Sequence, residues 1–398
     1  MMNSTACGKT RSEKFVAYLC ENSFLKLWTH PNPKGKNNKE LCDCLIVCGP
    51  HVIIISVKEC NYKLPGGKIE QRRWSKAAIK KSVSQIYGAE RWLNTATQVM
   101  RHDGREITLP PREKRIYHRI SVSLGGKGLV SIQWGDFGNG FVHVYDEYSV
   151  NVAFFALDTV TDFVEFLSDC EELVRDGAIL AFAGCGVESL IAIYLSQGHS
   201  FAAYRDHENK PYTIILTGDM WKGFSESPDY KKLLKNNESS YMWDNLLNFF
   251  IGDLLTGGMF DMHSKEVTTD ELALVEMALQ PRRYRAVLAE SLMTFLQSHE
   301  PQIKSRIVKG YKNTAFVFLI GKSAEREIRV KELGLRCYVV RAKLPHTKTV
   351  VGIAMDRPGT SEIGYAADIA YIHIPHLAKD EEERIATMQK DLGYFLSL

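Results

Sequence analysis

No stretch of this 398-residue sequence stays apolar long enough to cross a bilayer, and the opening MMNSTACGKTRSEKF meets charged residues before an apolar core of secretory length can form. Neither a membrane span nor a leader is expected, and the chain reads as cytoplasmic. Neither sign of charge dominates, since 50 Lys and Arg face 47 Asp and Glu for a net +3. That balance neither demands nor excludes nucleic acid, because a local basic stripe fits within a neutral total. Nine cysteines occur without one Cys-x-x-Cys pair. Tetrahedral zinc usually wants two such pairs, so Cys42, Cys44, Cys48 and Cys60 read as free thiols in a reducing compartment. No His-Glu-x-x-His occurs, and His373-x-x-His376 is interrupted by Pro375, which spoils a helical ligand pair.

What is present is ordinary for a globular chain: 45% hydrophobic and 24% charged residues. The length exceeds the usual single domain, so two domains are expected, 1–158 and 159–398. The fold class is expected to be α/β in the mixed α+β sense: a mixed sheet flanked by helices, followed by a larger α+β domain.

The stretch KELCDCLIVCGPHVIIISVKEC, residues 39–60, organises the first domain. It reads as two apolar strands joined at Gly49-Pro50. Side chains alternate along a strand, so Asp43 leaves the face of Cys42, Cys44, Ile46 and Cys48, while Ile54, Ser56 and Lys58 share one face of the second strand. Antiparallel pairing would bring Asp43 close to Ser56 and Lys58. An acid and an amine on such strands are costly to bury unless they pair or bind an ion, and a simple salt bridge satisfies them too.

The order Glu40, Asp43, turn, apolar strand and x-x-Lys58 resembles the restriction-endonuclease-like superfamily, whose signature is written PD-(D/E)XK. The resemblance implies Mg²⁺ or Mn²⁺ held by Glu40, Asp43 and the carbonyl of Val57, with Lys58 supporting the attacking water. Ser56 stands where that signature has its second carboxylate, and Glu59 should point to the opposite face from Lys58. Nuclease branches of the superfamily also place a Gln and a Tyr on the following helix. Gln85 and Tyr87 are similar in kind within Trp74–Asn94, whose spacing also fits an amphipathic helix covering the sheet.

Around this centre, Ser12–Trp28 is expected to be a helix and residues 29–39 a basic loop. Lys34, Lys36 and Lys39 would sit near a phosphate brought to Asp43, or form a solvated loop. Arg112–Leu124 reads as a strand whose Arg115 and Arg119 would track a nucleic-acid backbone. Strands are also expected at Val130–Trp134, Phe141–Tyr145 and Val152–Leu157.

The second half turns helical at Thr161–Asp176, Ala178–Ser196, Asp229–Leu255 and Thr269–Ser298, with a lone strand at Tyr212–Leu216. Strands follow at Ala315–Ile320, Arg336–Arg341, Val350–Met355 and Ile369–Ile374, and a helix spans Asp380–Leu396. Ala6-Cys7-Gly8-Lys9-Thr10 lacks the first glycine of a Walker A loop. Gly184-Cys185-Gly186 has Ser189 in place of a third glycine, and its flanks read as helix. Tyr241, Trp243 and Asp244, with Trp221, read as a stacking site or as a buried helix face. Arg282, Arg283 and Arg285 open a helix, where cations oppose the dipole and call for a counter-ion.

The expected activity is metal-dependent cleavage of DNA or RNA, in a setting the resemblance associates with bacterial defence, with the second domain meeting a protein partner or regulatory ligand. The alternative is an inactive nuclease-like module that binds nucleic acid or a partner protein. An enzyme centred in the second domain is a third possibility, although no nucleophile–base arrangement is visible there.

Overall fold

The computed structural model describes residues 7–130, 133–205, 211–256, 268–297, 304–321, 326–356 and 367–396. The chain is mixed α+β and divides into two compact units, Met1–Lys235 and Asn236–Leu398.

In the first unit the elements run α1 (Arg11–Phe24), β1 (Thr29–Pro31), β2 (Cys44–Cys48), β3 (His51–Glu59), α2 (Lys68–Ser75) and α3 (Lys81–Leu93), the last two joined by a wide π turn at Lys76–Lys80. A small hairpin, β4 (Gln98–Met100) and β5 (Glu106–Thr108), precedes β6 (Ile116–Leu124), β7 (Gly135–Asp136) and β8 (Phe141–Tyr145). Then come α4 (Glu147–Ala156), α5 (Val160–Arg175), β9 (Ala178–Ala183), α6 (Val187–Ser196), β10 (Tyr212–Thr217), α7 (Met220–Glu226) and α8 (Pro228–Asn237).

Six strands form one sheet in the order β1-β2-β3-β6-β8-β7, with β3, β6 and β8 parallel and β2 antiparallel to β3. Gly49, at φ 56°, makes the turn between β2 and β3, and the register places Cys44 opposite Ile55. One face, with Leu45, Val47, Val52 and Ile54, packs under Ala78, Ile79 and Ile86 of the π turn and α3. The other face meets α1, α4 and α5, where the rings of Phe24, Phe154 and Phe163 lie 5.2–5.3 Å apart. Phe163 lies beyond Asp158, so this aromatic contact brings α5 into the first unit, which ends at Lys235 where 158 was expected.

Several expectations change. Thr29–Pro31, expected in the basic loop, pairs as β1 with β2, and the expected helices Asp229–Leu255 and Thr269–Ser298 each hold two helices. Val152–Leu157 lies mostly in α4, because Asp146 and Ser149 form a capping box that starts a helix there. Ala178–Ser196 is strand then helix, broken at Gly184 with φ 71°, so β10 pairs in parallel with β9 and is not alone. Arg336–Arg341 lies inside a helix, since Leu333, Cys337 and Val340 fall on one helical face and pack into the core of the second unit. Of Val130–Trp134, Ser131 and Ile132 lie outside the described residues, and Gln133 and Trp134 are not in a strand.

The second unit holds α9 (Ser240–Thr256), α10 (Thr269–Ala278), α11 (Arg282–Leu296), β11 (Lys304–Lys309), β12 (Thr314–Gly321), α12 (Arg326–Lys343), β13 (Thr349–Asp356), β14 (Ala367–His373) and α13 (Lys379–Leu392). Its sheet runs β11-β12-β13-β14, with β12 and β13 parallel across the α12 crossover. Among the described residues, no helix is long and apolar enough to cross a membrane.

Candidate functional site

Because β2 runs against β3, the residue entering β2 meets those leaving β3. The Asp43 amide donates to the Ile55 carbonyl at 3.1 Å, which continues the ladder one residue past β2. The Asp43 carboxylate then turns toward β3, where Oδ2 accepts the Val57 amide at 2.6 Å and the Lys58 ammonium at 3.3 Å. The Asp43 side chain is only 3% exposed and that of Lys58 is 29% exposed, so this pair opens to solvent on the lysine side.

Ser56, fully buried, donates from Oγ to Gln85 Oε1 at 2.9 Å, and Ser82 of α3 donates to the Ser56 carbonyl at 3.2 Å. The Ser56 hydroxyl is thus committed to α3. Of the two α3 residues singled out, Gln85 meets the centre, whereas Tyr87 donates to the Gly140 carbonyl at 2.6 Å. Val57 contributes its amide to Asp43.

Glu40 pairs with Lys9 from the segment before α1. Glu59 faces away from Lys58, as strand alternation requires, and accepts from Ser12 of α1 at 2.8 Å. Among the described residues, no group of three or more His, Cys, Asp or Glu side chains is arranged to hold a metal ion. Of the carboxylates singled out, Asp43 is the one that meets Lys58.

The basic residues divide. Lys36 and Lys39 are exposed on a short turn, and the Lys34 backbone pairs with those of Met100, at 2.8 Å, and Glu40. Arg115 instead caps the end of α3, donating to the carbonyls of Leu93, Ala96 and Pro110 at 2.5, 2.9 and 2.7 Å. Arg119 forms a two-pronged pair with Glu90 at 2.5 and 2.6 Å. Both guanidinium groups are spent inside the fold, which corrects their expected place along a nucleic-acid backbone.

Two residues not singled out from sequence join the edge. The β3–β6 register sets Ser121 beside Ser56 and Ser123 beside Lys58, both fully buried, with their hydroxyls 3.2 Å apart. The alternation in Ile120-Ser-Val-Ser-Leu124 already placed both on one face.

The remaining candidates resolve into structure. Trp243 is buried against Phe316 and donates to the Met277 carbonyl at 3.2 Å, so it is core. Trp221, of the first unit, packs on Phe224 and Tyr230. Arg282 and Arg285 find their counter-ion within the unit, in Asp244 at 2.6 and 2.5 Å. None of the nine cysteines is in a disulfide.

Compared with protein-family models, curated proteins and solved structures, the chain matches none.

Proposed function

We propose that the first unit is a nuclease-like module that takes a phosphodiester of DNA or RNA at the Asp43–Lys58 pair and, with Mg²⁺ or Mn²⁺, hydrolyses it. The observation that carries this reading is the convergence of one carboxylate and one amine from adjacent strands, with only the amine opening to solvent. Asp43, with the carbonyl of Val57, would hold the ion, and Glu40 would join only by leaving Lys9. One carboxylate suits an ion that keeps several waters and also takes phosphate oxygens, so binding would be weak until substrate arrives. Such an ion, when bound, polarises the phosphoryl oxygen and lowers the pKa of a water. Lys58 would orient that water and offset charge developing at phosphorus. Lys36 and Lys39 stand exposed for the flanking phosphates.

Nine cysteines outside any disulfide suit a cytoplasmic setting, and the second unit would meet a protein partner or a regulatory ligand. The resemblance places such a pairing in bacterial defence.

A second reading is binding without hydrolysis. It is favoured by the bond that commits Ser56 to Gln85 and by the burial of Asp43. The two readings separate when the purified chain is incubated with DNA and with RNA in Mg²⁺ or Mn²⁺, beside Asp43→Ala and Lys58→Ala. Cleavage abolished by both substitutions supports the enzyme, and binding without cleavage supports the module. Cleavage that survives both substitutions removes this centre from the chemistry.

A further inference from the structure

The segment that leaves the Lys58 strand and returns over it carries a large excess of positive charge. From Lys68 to Lys81 there are six cations, Lys68, Arg72, Arg73, Lys76, Lys80 and Lys81, against the single carboxylate of Glu70. All six are exposed, and the carboxylate contact they make is that of Arg73 with Glu70, at 3.9 Å.

Four of them, Lys68, Arg72, Lys76 and Lys80, recur at every fourth residue. Over four residues an α-helix runs about 40° past a full turn, so such a row would drift around the axis. The π turn at Lys76–Lys80 is wider and falls short of a full turn over the same step, which offsets part of that drift and keeps the row on one side of the segment. The row spans about 18 Å at the helical rise.

Like charges four apart on a helix repel, and no member of this row has an acid three or four positions away to offset it. A solvated helix face ordinarily mixes its signs. Here the fold maintains the repulsion on a rigid support: Trp74, Ala78 and Ile79 anchor the opposite side in the core.

We propose that this row is the track for a nucleic-acid backbone, whose phosphates supply the missing negative charge. The inference rests on the nuclease-like reading and names the surface by which the substrate is held. Ser82 and Gln85, just beyond the row, bond to Ser56, two residues before Lys58, so the track ends over the strand that carries the amine. A membrane surface fits less well. An interfacial helix needs an apolar face to bury, and here that face is already spent on the core, with Ile69 left exposed.

The test uses the full chain in EDTA, with labelled duplex DNA, single-stranded DNA and RNA as probes, and salt varied from about 50 to about 200 mM. A variant carrying Lys68→Gln, Arg72→Gln, Lys76→Gln and Lys80→Gln is compared with wild type. It removes only mutually repelling charges from exposed positions, so its thermal midpoint should equal or exceed that of wild type. The expected result is a slope of log affinity against log salt shallower by about 3 to 4 on duplex DNA, with binding at least about tenfold weaker.

If wild type binds and the variant shows the same slope, the track is overturned while the nuclease-like reading stands. If wild type binds none of the three probes, that reading fails and the track with it. Row-dependent binding to phosphatidylserine vesicles in place of nucleic acid would also overturn the proposal.

Discussion

The ammonium of Lys58 and the carboxylate of Asp43 meet at 3.3 Å across two antiparallel strands, and the same carboxylate oxygen takes the Val57 amide at 2.6 Å. A nearly sealed acid is thereby held by two donors, with its amine as the solvent-facing member. Lys58→Ala leaves that carboxylate buried with one donor fewer. We expect a loss of about 1–3 kcal/mol, toward the lower end because Lys58 is partly solvated. Urea denaturation of both single variants and the double variant gives the coupling between them, which should be favourable.

Ser56 is the position where a carboxylate would change the chemistry most. Ser56→Asp sets a second acid beside Asp43, so without metal the fold should weaken from like-charge repulsion. Mg²⁺ should then raise the thermal midpoint of this variant more than that of wild type. An equal response in the two proteins would mean that the Asp43–Lys58 pair takes up no ion.

Arg115 supplies three hydrogen bonds to carbonyls, two of them around the end of α3. Arg115→Ala strands these acceptors and should cost about 2–3 kcal/mol in chemical denaturation, with nucleic-acid affinity little changed. A large affinity loss in a fully folded variant would return this residue to the binding surface.

His30 is buried, and burial pulls its proton affinity down from 6.5 to about 3. Burial also lowers His118 and His143, so the folded chain holds these rings neutral. The unfolded chain binds protons that the fold refuses, so this contribution is complete above pH 6.5 and is lost as pH falls toward 3. The His30 share of the slope is about 1.4 kcal/mol per pH unit below its unfolded value. His30→Gln should flatten the pH dependence of urea stability between neutral pH and about pH 5 by that amount.

In the second unit, Arg329 pairs with Asp356 and Asp368, and all three are buried. Arg329→Met removes the shared cation and should cost about 3–5 kcal/mol. Limited proteolysis should then release fragments from residues 236–398 first.

The Asp43–Lys58 meeting was legible because it needs only strand alternation and one turn, both local properties of residues 39–60. The diversion of Glu40 was not, since Lys9 arrives from far along the chain and no spacing rule contains that contact. Arg115 and Arg119 read as basic residues on a strand, but sequence does not reveal that the carbonyls of α3 and Glu90 would consume their donors. The run AILAFA, residues 178–183, is apolar on both faces, a pattern that a buried helix and a strand share. The cations at 68, 72, 76 and 80 are visible in the sequence, but the apolar spacing that marks the helix begins only at Trp74 and carries no information about the charge on its exposed face.

The most direct measurement is a cleavage assay of labelled DNA and RNA by the intact chain in Mg²⁺ and in Mn²⁺, run beside Asp43→Asn and Lys58→Met. Metal-dependent product from wild type, reduced by about 10² or more in both variants while each stays folded, is the predicted result. Product formed equally by all three proteins would contradict the account.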